Sequence, residues 1–262
     1  MIAKNSPGIV IAASSAAALS RTKRLAASLG LALVADWRRA PASLALVVDV
    51  EQAWLQRIEP NPPGPVSIDF AAPAMEHRRK GGHNELLGRA VGIKQGRYPG
   101  VFDATAGLGR DGFVLADSGC RVSLCERSSV LSWLLEQAIE QGLISGIEHV
   151  RKAATRLSVI AGDARDQTVQ AGTVIYLDPM FPERRSQSGV KKDLAVLQIL
   201  HGGVPSDEAE SEALLEWALQ QDTPRIVVKR PLKAPVLGRR KPAYELKGKA
   251  IRFDVYVLGD LG

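Results

Sequence analysis

The chain has 262 residues, 45% of them hydrophobic, and 34 Lys and Arg against 28 Asp and Glu leave it a formal net charge of +6. With a pI near 9.4 and a mean hydropathy near zero, this composition excludes an intrinsically disordered or membrane-embedded chain and suits one large globular domain, or a large one beside a small one. The positive excess fits a polyanionic partner without identifying it.

In chain order, residues 1–65 read as a small α/β domain. A short strand is expected at 9–12, then a helix capped by Ser14 or Ser15 that runs to Ser28 and stops at Gly30. Basic Arg21, Lys23 and Arg24 follow the apolar N-terminal run instead of preceding it, and no stretch is long enough to span a bilayer. A cytoplasmic protein with no membrane association is therefore expected. Residues 31–35 and 44–50 are strand candidates rich in Leu and Val. The proline-rich segment 60–65 is a stiff turn or linker, and 66–70 is one more possible strand.

Residues 66–262 form the second expected domain. It opens with the basic, glycine-containing stretch 75–83, which has no apolar periodicity, and a helix at 85–91. From Val101 the pattern alternates: strands at 101–103, 121–126, 157–161, 174–178 and 225–229, with helices at 111–118, 129–141, 191–200 and 206–220. Such alternation builds a mostly parallel, doubly wound sheet. Residues 244–247 and 251–258, separated by Gly248, would add a terminal hairpin with an antiparallel strand. Cys120 and Cys125 flank one of these strands and point to opposite faces, so they read as buried free thiols. His77, His83, His149 and His201 are scattered, and no Cys/His spacing suggests a metal.

The first chemical signal is the run from Val101 to Gly112, in which a buried strand ends in Asp103, enters a loop containing Gly107 and Gly109, and opens a helix at Arg110 and Asp111. Ligands of open α/β sheets bind at the carboxyl ends of the strands. Gly107, Gly109 and Gly112 match the dinucleotide fingerprint, with Glu126 standing where a ribose-binding acid is expected. Against a dinucleotide, three residues separate Asp103 from Gly107, and Asp111 would repel a pyrophosphate at the helix start. S-adenosylmethionine, with an ammonium and a sulfonium, would instead suit Asp103 and Asp111. Glu126 would then take both ribose hydroxyls, Arg127 would line the cleft, and Asp163 with Ala164 would meet the adenine.

The second signal is the apolar strand ending in Asp178, Pro179, Met180, Phe181 and Pro182. It resembles the Asp/Asn-Pro-Pro-Tyr/Phe turn of methyltransferases that act on exocyclic nitrogens, with Met180 in place of the second proline. An exocyclic amine is a weak nucleophile because its lone pair is delocalised into the ring. A carboxylate at Asp178 and the carbonyl of Pro179 would accept its N–H groups and aim the nitrogen. Phe181 would stack on a base swung out of its helix.

Taken with Ser67–Phe70, His77–Lys80, Val190–Lys192, Val227–Pro231 and Arg252–Asp254, these motifs resemble, in order and over residues 66–258, the bacterial RsmJ family. That resemblance implies a class I, Rossmann-like, seven-stranded methyltransferase fold with a small N-terminal α/β domain. It also implies methyl transfer from S-adenosylmethionine to N2 of one guanosine near the 3′ end of 16S rRNA, with rRNA or the small ribosomal subunit as partner and no obligate protein partner. Arg110, Asp111, Glu126, Arg127 and Asp178 would be cofactor-site residues. A DNA or RNA adenine-N6 methyltransferase, whose turn chemistry is the same, and a non-catalytic NAD- or RNA-binding protein are the competing readings. Basic residues around the expected cleft are candidate RNA contacts: Arg78, Arg79, Lys80, Arg184, Arg185, Lys191, Lys192, Lys229 and Arg230, followed by Lys233, Arg239, Arg240 and Lys241.

Overall fold

The computed structural model describes residues 8–81, 83–179, 188–202 and 208–260, apart from the side chains of His83 and residues 188–191. The chain divides into two compact units, residues 1–68 with 182–205 and residues 69–181 with 206–262.

The first unit holds a four-stranded sheet of β1 (Ile9–Ala13), β2 (Ala32–Leu33), β3 (Leu44–Val48) and β4 (Ala53–Arg57) in the order β2-β1-β3-β4. β1 is parallel to both its neighbours, and β4 returns antiparallel to β3. Helix α1 (Leu19–Leu29) ends at Gly30, whose φ of 66° is the left-handed geometry that stops a helix. It starts later than the serines suggest. The Ser14 amide donates to Val48 O at 2.8 Å, so Ser14 extends the sheet, and Ala18 stands at the helix start without a side-chain cap. β4 carries little apolar signal, and its register comes from the turn closed by Asp49 N donating to Gln52 O at 2.8 Å. Residues 66–70 do not form the expected strand, and Val66 makes a single bridge to Leu55. Pro63 and Pro65, just before it, lack the N–H groups that would extend the pairing on that side of Val66.

The second unit contains helices α2 (Pro73–Arg79) and α3 (His83–Val91), then β5 (Val101–Asp103), α4 (Arg110–Asp117), β6 (Val122–Glu126), α5 (Ser129–Leu143), α6 (Glu148–Ala154), β7 (Leu157–Ala161) and β8 (Val174–Leu177). Helix α7 (Ser188–Leu200) counts with the first unit. The second unit resumes with α8 (Glu208–Leu219), β9 (Arg225–Pro231), β10 (Tyr244–Lys247) and β11 (Ile251–Val257). Its sheet has seven strands in the order β10-β11-β9-β8-β5-β6-β7. β7 through β9 run parallel, and β11 lies antiparallel between β9 and β10. This is the expected doubly wound sheet with its terminal hairpin. Two helices went unpredicted for want of periodicity. α2 buries only Met75, and α6 is short, packing Ala154 so near Gly142 that a Cβ there would stand 3.0 Å from the alanine methyl.

Chain order reverses between β5 and β8, so the carboxyl ends of β5, β6, β8 and β9 deliver Asp103, Glu126, Asp178 and Lys229 to one edge. Beneath them Phe102, Cys125, Ile175, Leu177, Trp217 and Ile226 pack into one core. Cys120 and Cys125 are free and buried, and burial pushes both thiols up to about 12. Among the described residues, no helix is long and apolar enough to cross a membrane.

Candidate functional site

The loop after β5 and the turn after β8 are bonded to each other. The Ala104 amide donates to Tyr176 O at 3.0 Å, and the Asp178 amide donates to Thr105 Oγ1 at 2.6 Å. Thr105 is itself held by Asp103, whose Oδ1 accepts from the Thr105 amide at 3.1 Å and lies 3.4 Å from its hydroxyl. Asp178 and the glycine turn therefore share one crevice edge.

The glycines have two distinct tasks. Gly107, at φ 54°, presents its amide to Glu126 Oε2 at 2.9 Å. Gly109, at φ 68°, caps α4, and a Cβ there would meet Leu135 Cδ2 at 2.6 Å. At Gly112 a Cβ would meet Leu124 Cδ2 at 2.3 Å. Both of these serve close packing of α4 on the sheet. Glu126, 3% exposed at the end of β6, takes Gly107 N on Oε2 and Ser128 N at 2.8 Å on Oε1. A buried carboxylate at the end of β6, tied to the glycine turn, is the kind of acceptor a ribose needs. That arrangement fits S-adenosylmethionine.

The acids divide sharply by partner. Asp111 accepts from Tyr176 OH at 2.8 Å and Lys229 Nζ at 2.8 Å on Oδ2, and Oδ1 pairs with Arg78. Burial alone would raise its pKa, but Lys229 and Arg78 overcome that and hold the carboxyl far below the usual carboxylate range. This carboxylate is turned inward and bonded by three side chains. Asp103 is also turned inward, 2% exposed, with no cation bonded to it among the described residues, and burial pushes its carboxyl up to about 8. Asp178 is intermediate. Its Oδ2 meets Lys229 Nζ at 2.7 Å, and among the described residues Oδ1 has no partner. Burial and then Asp111 raise its pKa, Lys229 and Arg78 lower it, and the balance lies above the ordinary value. For Lys229, burial opposes the charge, but Asp178 and Asp111 more than offset it, so the ammonium persists.

Other expected site residues are placed less centrally. Arg110 opens α4, and Arg127 is exposed and pairs with Glu210. The Asp163 carboxylate is forked by Arg165, with Nε at 2.9 Å and an Nη at 2.6 Å, while Ala164 is buried. Pro179 is buried, and Met180, Phe181, Arg184 and Arg185 lie outside the described residues, as does the side chain of Lys191.

The family model described as SAM-dependent methyltransferase matches residues 25–258. Ribosomal RNA small subunit methyltransferase J of Pseudomonas aeruginosa strain UCBPP-PA14 is 40% identical over 268 residues, spanning 100% of this chain and 99% of its own. The chain belongs to the ribosomal RNA small subunit methyltransferase J family. The protein of that name from Dechloromonas aromatica strain RCB is 43% identical over 222 residues, spanning 82% of this chain and 88% of its own. A SAM-dependent methyltransferase solved from Neisseria gonorrhoeae superposes with a TM-score of 0.72 at 29% identity, covering 95% of each chain.

Within this methyltransferase J fold, several cations expected on RNA have partners in the protein itself. Arg230 is 1% exposed and donates to Pro235 O at 2.7 Å. Lys229 bridges Asp111 and Asp178. Arg78 pairs with Asp111, Arg79 with Asp117 at 2.8 Å, and Lys80 with Glu76 at 2.8 Å. Lys192 donates to Pro65 O at 2.8 Å. Conversely, Thr105 and Tyr176 escaped the sequence reading, because a threonine in a glycine loop and a tyrosine within an apolar strand give no local signal.

Proposed function

We propose that this chain methylates the exocyclic N2 of a guanosine in small-subunit (16S) rRNA, using S-adenosylmethionine, in the cytoplasm. The observation that carries the reading is the meeting of Asp178, Lys229 and the Gly107 turn at the switch point of the sheet. When bound, the cofactor supplies an electrophilic methyl group on sulfur.

The protein's own part is positioning and acceptor chemistry. Lys229 fixes Oδ2 of Asp178 and leaves Oδ1 directed by the turn, so one oxygen is available to accept an N–H of the target amine. That bond favours the attacking nitrogen's lone pair and holds it in line. Thr105 ties the same turn to the cofactor loop, so a shift of either strand end is felt by both. Glu126 would grip the ribose, with Gly107, Gly109, Arg110, Arg127, Asp163 and Ala164 lining the remaining cofactor surface. Pro179 would add a second acceptor carbonyl and Phe181 a stacking face for the extruded base.

Methyl transfer from labelled S-adenosylmethionine onto small subunits from cells lacking the enzyme, followed by nucleoside analysis, tests this. N2-methylguanosine is expected. N6-methyladenosine in its place would move the protein to the adenine class.

A further inference from the structure

We propose that residues 232–243, the loop that follows β9, are the phosphate grip by which this protein holds its RNA, pre-shaped by two internal anchors. The proposal rests on the reading of the chain as an rRNA methyltransferase and names the surface that serves it.

The first anchor is a guanidinium. Arg252, 4% exposed, forks onto the fully buried Asp254 with Nε at 2.6 Å and an Nη at 3.0 Å. Its remaining donors reach the carbonyl oxygens of Pro231 at 3.3 Å, Leu232 at 3.0 Å, Ala234 at 2.6 Å and Pro235 at 3.3 Å. Arg230 adds a donor to Pro235 O at 2.7 Å. A planar guanidinium bonding one carboxylate and four carbonyls clamps the base of the loop in a single path. The second anchor is Leu237, fully buried in the core with Leu215 and Trp217. Gly238, at φ 65°, then turns the chain outward.

What the anchors present is charge. Arg239, Arg240 and Lys241 are consecutive and exposed, and Lys233 is exposed at the other end of the loop. Among the described residues none of these four has an ion-pair partner, whereas Arg78, Arg79, Lys80, Arg127 and Lys229 are all matched by the protein's own carboxylates. Adjacent like charges repel, and a rigid loop that crowds them is stabilised when an anion arrives. Phosphates meeting such cations release counterions, and a loop already ordered loses little entropy on binding. The loop leaves β9 two residues past Lys229, whose ammonium touches Asp178 at 2.7 Å, and rejoins the sheet at Ala243, whose amide donates to Val255 O at 2.8 Å.

The test uses the full chain and a 16S rRNA fragment containing the 3′ region, with binding measured by fluorescence anisotropy across a salt series. For R239A/R240A/K241A the RNA Kd should rise about 10- to 100-fold at physiological salt, and the slope of log Kd against log salt should fall by about 2. Cofactor affinity should stay at the wild-type level. R239K/R240K should keep the slope, since charge is retained. Arg252→Lys, which cannot serve five acceptors at once, should weaken binding with the slope retained, a thermal melt confirming that the variant is folded. An unchanged Kd and slope in the triple variant would overturn the proposal, as would a wild-type chain that fails to bind the fragment. Product analysis is read separately: a wrong nucleoside refutes the guanine reading while the binding data still decide the loop.

Discussion

The end of β9 carries cations of two kinds. Lys229 and Arg230 point into the molecule, where two carboxylates and a carbonyl receive them. Arg239, Arg240 and Lys241, a short way along the same loop, stand exposed. In the sequence they are one basic stretch. The difference teaches that a cation's task follows from what already neutralises it. An ammonium between Asp111 and Asp178 tunes acids, while an unmatched guanidinium on an anchored turn is available for a phosphate.

Three substitutions would break or sharpen that contrast. The largest effect belongs to Asp178→Ala, which removes the acceptor that Lys229 holds. Turnover should fall roughly 100- to 1,000-fold while the RNA Kd stays put, and single-turnover rates within a few-fold of wild type would end its assignment.

Lys229→Met should cost about tenfold in kcat and should also move the pH profile. Asp178 already titrates above the ordinary carboxylate value because burial outweighs its cation, so activity should rise with pH through that group. Asp178 faces Lys229 from β9, Asp111 from α4, Tyr176 from its own strand, Asp103 from β5 and Arg78 from α2. Of these, only Lys229 is bonded to its carboxylate. Losing that cation must raise the Asp178 pKa further, so the acid limb should shift to higher pH, and Lys229→Arg should restore most of the rate. An identical profile in Lys229→Met would show that Lys229 does not act through Asp178.

The smallest effect is expected at Asp103, the interior acid without a bonded cation. Burial raises its carboxyl to about 8 in the folded chain, against about 4 when unfolded. The folded state thus keeps a proton that the unfolded state releases. Its stabilising contribution is complete below about pH 4 and is lost as pH rises through 8. Asp103→Asn lacks that loss, so urea melts at pH 6 and pH 9 should show the variant gaining on wild type as pH rises. A gap that does not change with pH would mean that Asp103 is ionised in the fold.

Much of the site was legible in the sequence because its parts are local. An apolar run ending in an acid followed by Gly or Pro marks a strand end, and such ends carried Asp103, Glu126 and Asp178. What failed did so where local signals are weak or misleading. Helix α2 hides in a basic stretch with one buried side chain, and β4 is half polar. Ser14 has a capping residue's chemistry, but its backbone still pairs with Val48 and the helix begins only at Leu19. The packing task of Gly109 and Gly112, where a Cβ would meet Leu135 and Leu124, is likewise invisible in the local sequence.

By itself, then, the sequence determined the alternation of strands and helices, the acids at the strand ends and the family, since hydrophobic period, turn residues and motif order are properties of neighbouring positions. Only the tertiary structure decided which charges meet. Arg78 reaches Asp111, Lys229 bridges Asp111 and Asp178, and Arg252 clamps the β9 loop. Those pairings are set by strand order across the sheet, and charge acts over a few ångströms of space irrespective of the length of chain between the partners.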